Sequence, residues 1–131
     1  MEKLASYFEG KPVHRVLDIG TGSGDFIRLL SQVFLPEVQL IGVDPSNEAL
    51  SEAEKGDYSG KVSFLQMEGE NLHFEDETFD VVCMSNAMHH LANPEKTLSE
   101  MKRVVKHDGW LVIAEIVSDG LNEAQENQKM L

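Results

Sequence analysis

The stretch that most constrains this chain is Val16-Leu17-Asp18-Ile19-Gly20-Thr21-Gly22-Ser23-Gly24, an apolar run carrying an acid into three alternating glycines. Helix-patterned residues follow it. A second apolar run, Val38-Gln39-Leu40-Ile41-Gly42-Val43, ends in another acid, Asp44, 20 residues beyond Gly24. Glycines at a strand-to-helix turn let a ligand approach bare backbone. An acid at the tip of the next strand can accept hydrogen bonds from a ribose diol. Together these features predict a strand–turn–helix–strand unit that holds a nucleoside.

The dinucleotide fingerprint G-x-G-x-x-G/A needs a third small residue beside the pyrophosphate. Counting from Gly20 and Gly22, that position is Asp25. A carboxylate there would repel a pyrophosphate, which weighs against NAD or FAD. The pattern present is G-x-G-x-G with Asp18 before it and Asp25 after it. An acidic loop suits a phosphate-free ligand with positive groups, and S-adenosylmethionine, with its ammonium, sulfonium and adenosine, fits that description.

Further stretches extend the pattern. They are Ile41-Gly42-Val43-Asp44-Pro45-Ser46, Glu68-Gly69-Glu70-Asn71-Leu72-His73-Phe74, the run 79–91 from Phe79 to Leu91, and Lys106-His107-Asp108-Gly109-Trp110-Leu111-Val112-Ile113. In this order, over roughly residues 13–117, they resemble the motifs of class I S-adenosylmethionine-dependent methyltransferases. The resemblance is to the subgroup that includes small-molecule enzymes of the ubiquinone/menaquinone-biosynthesis type. The resemblance implies that Gly20, Thr21, Gly22 and Gly24 shape the loop under the methionyl part of the cofactor. Asp18 would anchor the ammonium end or brace the loop. Asp44 would accept both ribose hydroxyls, flanked by Pro45 and Ser46. Glu68 stands where the family usually has Asp near the adenine amino group, Gly69 would offer its backbone N–H to the ring, and Glu70 is the motif's second acid. His73 replaces the usual proline. Asn86 would meet the methionyl group at the exit of the fourth strand. His89 and His90 are the candidates for a catalytic base, with local packing or capping as the plainer reading. No metal site is expected.

With 131 residues the chain is sized for one domain and one core, and its 41% hydrophobic and 26% charged residues are ordinary for a globular protein. No apolar run approaches the ~20 residues that span a bilayer. The N-terminus lacks the apolar core of a signal peptide, and one cysteine excludes an internal disulfide framework. A cytoplasmic setting is expected. The formal net charge of −12, from 11 Lys+Arg against 23 Asp+Glu, argues against nucleic acid as a partner. The basic cluster Lys102-Arg103-Lys106 reads as a solvated helix face.

Apolar periodicity predicts a short helix over 1–9, strands over 13–19, 38–43, 61–66, 79–84 and 110–117, and helices after the glycine loop, after Ser46 and after Asn93. Ser46 is a predicted N-cap, and Asn93-Pro94 places a cap before proline at the first helical position. Cys83, Trp110 and the methionines read as packing residues. Alternating strands and helices imply an α/β fold: a Rossmann-like, doubly wound, mostly parallel sheet with helices on both faces. Ligands in such sheets bind outside the carboxyl ends of the strands, where the strand order reverses.

Five strands are visible where the family usually has seven. The expectation is therefore a single cofactor-binding core over 1–131, either shortened at its C-terminus or unusually compact. Strand five should either self-associate through its edge, giving a homo-oligomer, or be covered by residues 118–131. The expected activity is methyl transfer to a small-molecule acceptor. The alternatives are a non-catalytic cofactor-binding core or partner subunit, and, further off, an NAD-dependent oxidoreductase.

Overall fold

The computed structural model describes residues 2–85 and 91–114. Its elements in chain order are α1 (Glu2–Phe8), β1 (Arg15–Ile19), α2 (Asp25–Val33), β2 (Gln39–Asp44), α3 (Asn47–Glu54), β3 (Lys61–Gln66), β4 (Phe79–Ser85), α4 (Pro94–Val104) and β5 (Val105–Ala114). The strands form one sheet in the order β3-β2-β1-β4-β5, and every pairing is parallel. The order reverses at β1, which pairs with β2 on one side and β4 on the other. This is the Rossmann-like arrangement expected.

Successive side chains of a strand point to opposite faces, and the core divides accordingly. Val16, Leu40, Val81, Cys83 and Val112 pack with Phe26, Ile27 and Leu30 of α2 and Leu4 and Phe8 of α1. Leu17, Ile19, Ile41, Val43, Val82 and Met84 pack with Met101 and Val104 of α4. β4 is buried along its whole length, as a strand covered on both faces must be. α1 is tied to β5 by aromatics. Trp110 Nε1 donates to Tyr7 Oη at 2.9 Å, and the Trp110 ring meets Phe8 edge-on at 5.5 Å.

The caps form as their residues suggest. Ser46 accepts from Ala49 N–H at 3.2 Å, and Asn93 accepts from Lys96 N–H at 3.2 Å with Pro94 opening α4. β5 departs from expectation. It begins at Val105, opposite Phe79, and its register resumes only at Val81↔Trp110. Residues 106–109 make the detour that Asp108-Gly109 predicted as a simple turn. A Cβ on Gly109 would lie 2.7 Å from the Asp80 carbonyl oxygen, so the detour hugs the β4 backbone too closely for a side chain. β5 lies at the sheet edge among the described residues, and the expected cover, residues 118–131, lies outside them.

At the amino end of the sheet, Asp80 is the clasp. Its Oδ2 accepts from His14 and Arg15 N–H at 2.8 and 2.9 Å, and Lys106 Nζ stands 3.3 Å from Oδ1. Burial pushes this carboxyl up, but the two amides and Lys106 outweigh it and hold the pKa below its ordinary value. Hydrogen bonds to a charged group contribute about 1.5–3 kcal/mol, so Asp80→Asn is expected to destabilise the fold by roughly that amount, read as a lowered urea midpoint. The contribution is complete above the ordinary carboxylate range and fades as pH falls through the depressed value. An unchanged midpoint at neutral pH would remove the clasp from the account.

Candidate functional site

The glycine loop leaves β1 and is stitched to the tip of β2. Thr21 N–H donates to the Val43 carbonyl at 2.9 Å, and Gly22 N–H donates to Asp44 Oδ2 at 2.9 Å. Gly22 sits at φ 56°, in the left-handed region that side chains resist. The other Asp44 oxygen, Oδ1, accepts from Ser46 N–H at 2.9 Å. A carboxylate offers about four acceptor sites. Asp44 therefore keeps acceptor capacity on both oxygens after holding the loop.

The carboxyl ends of β1, β2 and β4 and the segment after β3 enclose a cavity of about 540 Å³. Of the residues anticipated from sequence, Gly20, Thr21, Gly22, Asp44, Pro45, Glu68, Gly69 and Glu70 line it. Ile19, Ser23, Phe26, Ser85, Leu91 and Ala92 also line it and were not anticipated; Asp25, read only as an obstacle to pyrophosphate, is on the wall as well. Ser85 adjoins the predicted strand-four exit, which is the one signal that pointed toward it. Leu91 closes the 79–91 run without having been singled out, and Ala92 carries no local signature. Asn86, His89 and His90 lie outside the described residues.

Three anticipated residues serve elsewhere than on the wall. Ser46 caps α3. Gly24, at φ 92°, is the N-cap of α2, and a Cβ there would overlap Tyr58 Oη and come within 3.2 Å of Ala53 Cβ. The Tyr58 hydroxyl is anchored by donating to the Ala53 carbonyl. The third glycine is therefore a packing glycine that seats the 53–58 segment. Asp18 is fully buried behind the loop, level with Gly42 and Cys83 on the flanking strands. Among the described residues neither its carboxylate oxygens nor Thr21 Oγ1 has a hydrogen-bond partner of good geometry. Burial raises the Asp18 pKa to about 7; the nearby Thr21 hydroxyl offsets part of the rise and the Asp44 charge adds to it. Gly42 makes room for this arrangement, since a Cβ on it would lie 2.6 Å from Thr21 Oγ1. The Cys83 thiol is pushed up by burial and by Asp18, so it is an inert core group, as read from sequence.

The cavity lining carries four carboxylates, Asp25, Asp44, Glu68 and Glu70, and no lysine, arginine or histidine among the described residues. Such a wall repels phosphate and favours a cationic, phosphate-free ligand. Among the described residues no group of His, Cys, Asp and Glu is placed to hold a metal ion, and no helix is long and apolar enough to cross a membrane.

The family model described as "Methyltransferase domain" matches residues 17–113, which include the last three residues of β1, the loop, Asp44, Glu68 and most of β5. The chain belongs to this methyltransferase family. The methyltransferase domain is 36% identical over 108 residues to the demethylmenaquinone methyltransferase of Bacteroides fragilis, covering 79% of this chain and 44% of that protein. Among solved structures it is similar to the YcgJ protein of Bacillus subtilis, with 34% identity and a TM-score of 0.71 over 88% of this chain and 49% of that one. It is also similar to the plantazolicin methyltransferase BpumL, solved with a triazolic desmethylPZN analog and SAH, with 26% identity and a TM-score of 0.75 over 90% and 46% of the two chains. The chain thus spans less than half the length of the curated relatives it matches.

Proposed function

We propose that this methyltransferase domain binds S-adenosylmethionine in the acidic cavity and transfers its methyl group to a small-molecule acceptor by in-line displacement. The observation that carries the reading is Asp44: its two oxygens hold the loop and the start of the α3 cap, and keep lone pairs for a ribose diol. Glu68 and Gly69 form the nucleobase wall, Gly20 to Gly22 the floor under the methionyl part, and Asp18 the acid behind that floor. Glu70 accepts from Asn93 N–H at 3.3 Å, which ties the wall to the start of α4. When bound, the cofactor supplies a methyl already activated by its sulfonium. The chain's own work is then to hold the donor still, exclude water and present it to the acceptor, an alignment that can supply much of the rate. His89 and His90 are carried as candidate bases for an acidic acceptor. A cytoplasmic setting and self-association along the outer edge of β5 complete the proposal.

Calorimetric titration of the 131-residue chain with S-adenosylmethionine and S-adenosylhomocysteine is expected to show saturable binding to one site, with no binding of NADH. Binding without turnover against a broad acceptor panel would favour a cofactor-binding core or partner subunit. A folded protein that ignores both adenosyl ligands overturns the proposal.

A further inference from the structure

The cavity wall that follows β3 has no regular structure of its own: residues 67–78 run as loop from β3 to β4. Its shape is set from outside, by one face of α4. Asn93, Thr97, Glu100 and Arg103 recur there at helical spacing. Thr97 packs against Gly69, where a Cβ would lie 3.1 Å from Thr97 Cγ2. Glu100 Oε1 accepts from Leu72 N–H at 2.8 Å. Arg103 spreads its guanidinium over the same loop, donating to the Leu72 carbonyl at 2.9 Å, the Phe74 carbonyl at 2.8 Å and Asp76 Oδ1 at 2.9 Å. Its Nε and a terminal nitrogen also donate to the two Glu100 oxygens, at 2.8 and 3.1 Å. Leu72 is thus held at both its N–H and its C=O by one planar pair. A guanidinium fork satisfies several acceptors at fixed angles, which an ammonium cannot do. The Glu100 and Arg103 side chains are only 17% and 32% exposed, and neither lines the cavity.

We propose that Glu100 and Arg103 are positioning residues that hold Glu68 and Gly69 at the distance needed to read the nucleobase of the cofactor. The proposal rests on the reading above that Glu68 faces the adenine amino group. A pair that merely glued loop to helix would affect stability. A positioning pair affects selectivity for that amino group.

The test uses the full 131-residue chain, Arg103→Lys and Glu100→Gln. Each is titrated with S-adenosylhomocysteine and with its 6-deamino purine analogue, at a temperature where circular dichroism shows the protein folded. A hydrogen bond to a carboxylate corresponds to roughly tenfold or more in affinity, so the unaltered chain is expected to prefer the adenosyl ligand by about that factor. In both variants the preference is expected to fall below about threefold through loss of adenosyl affinity, with the analogue's affinity nearly unchanged. Equal weakening of both ligands, or an unaltered preference, overturns the positioning role. An unaltered chain that binds both ligands equally overturns the Glu68 reading and this proposal with it. The cofactor-binding proposal itself then stands, because binding is still seen.

Discussion

Asp44→Ala is expected to weaken binding of S-adenosylhomocysteine by roughly tenfold to a few hundredfold, the range set by about 1.5–3 kcal/mol for hydrogen bonds to a charged acceptor. Two losses combine in that figure. The acceptors proposed for the ribose diol go, and so do the latches on Gly22 and Ser46 N–H. Asp44→Asn separates them. One amide oxygen can still accept, so part of the loop is held, while the second acceptor becomes a donor facing the ribose. The asparagine variant is expected to fall between the unaltered chain and the alanine variant in calorimetric affinity. Alanine binding as tightly as the unaltered chain would remove Asp44 from the site.

The second large effect is on stability and comes from Asp18. Its carboxyl is raised in the folded chain from an ordinary 3.8 to about 7, chiefly by burial. A raised acid in the folded state means that the folded chain holds a proton the unfolded chain releases. Stability is therefore greatest below the unfolded value, falls as pH rises from 3.8 to about 7, and levels off above. At about 1.4 kcal/mol per pKa unit the full difference is on the order of 4 kcal/mol. Asp18→Asn cannot ionise. Denaturant unfolding from about pH 5 to 8 is expected to show the unaltered chain losing stability relative to the variant as pH rises. Parallel stability curves for the two proteins would show that Asp18 is ionised throughout and that a donor meets it.

Both predictions begin from motifs visible in the chain, but they differ in how far the motif reaches. The spacing from the glycine loop to Asp44 places an acid at a strand tip beside the loop, because a strand, a helix and a second strand occupy fixed lengths. The same reasoning set Asp18 beside the loop without its surroundings. Which face it took, and that its neighbours across the sheet are Gly42 and Cys83, followed from the register of β1 with β2 and β4. The glycines divide in the same way. All three alternate in sequence, yet Gly20 and Gly22 line the cavity while Gly24 seats Tyr58, a residue 34 positions later.

Local chemistry is legible in adjacent residues. Apolar runs became parallel strands, Ser46 and Asn93 became caps, and Pro94 opened α4, because strand alternation, helix periodicity and capping each need only a few neighbouring side chains. The sequence alone therefore determined the α/β architecture, the cofactor class it suits, and the rim where the acidic cavity forms. The tertiary structure decided what depends on contacts between distant segments. Lys102-Arg103-Lys106 looked like one solvated cluster, but Arg103 turned onto the Leu72 and Phe74 carbonyls and Lys106 onto Asp80. A basic residue on a helix reads the same whether water or a carbonyl 31 positions away receives it. Only the path of the chain around the sheet brings that carbonyl within hydrogen-bonding distance.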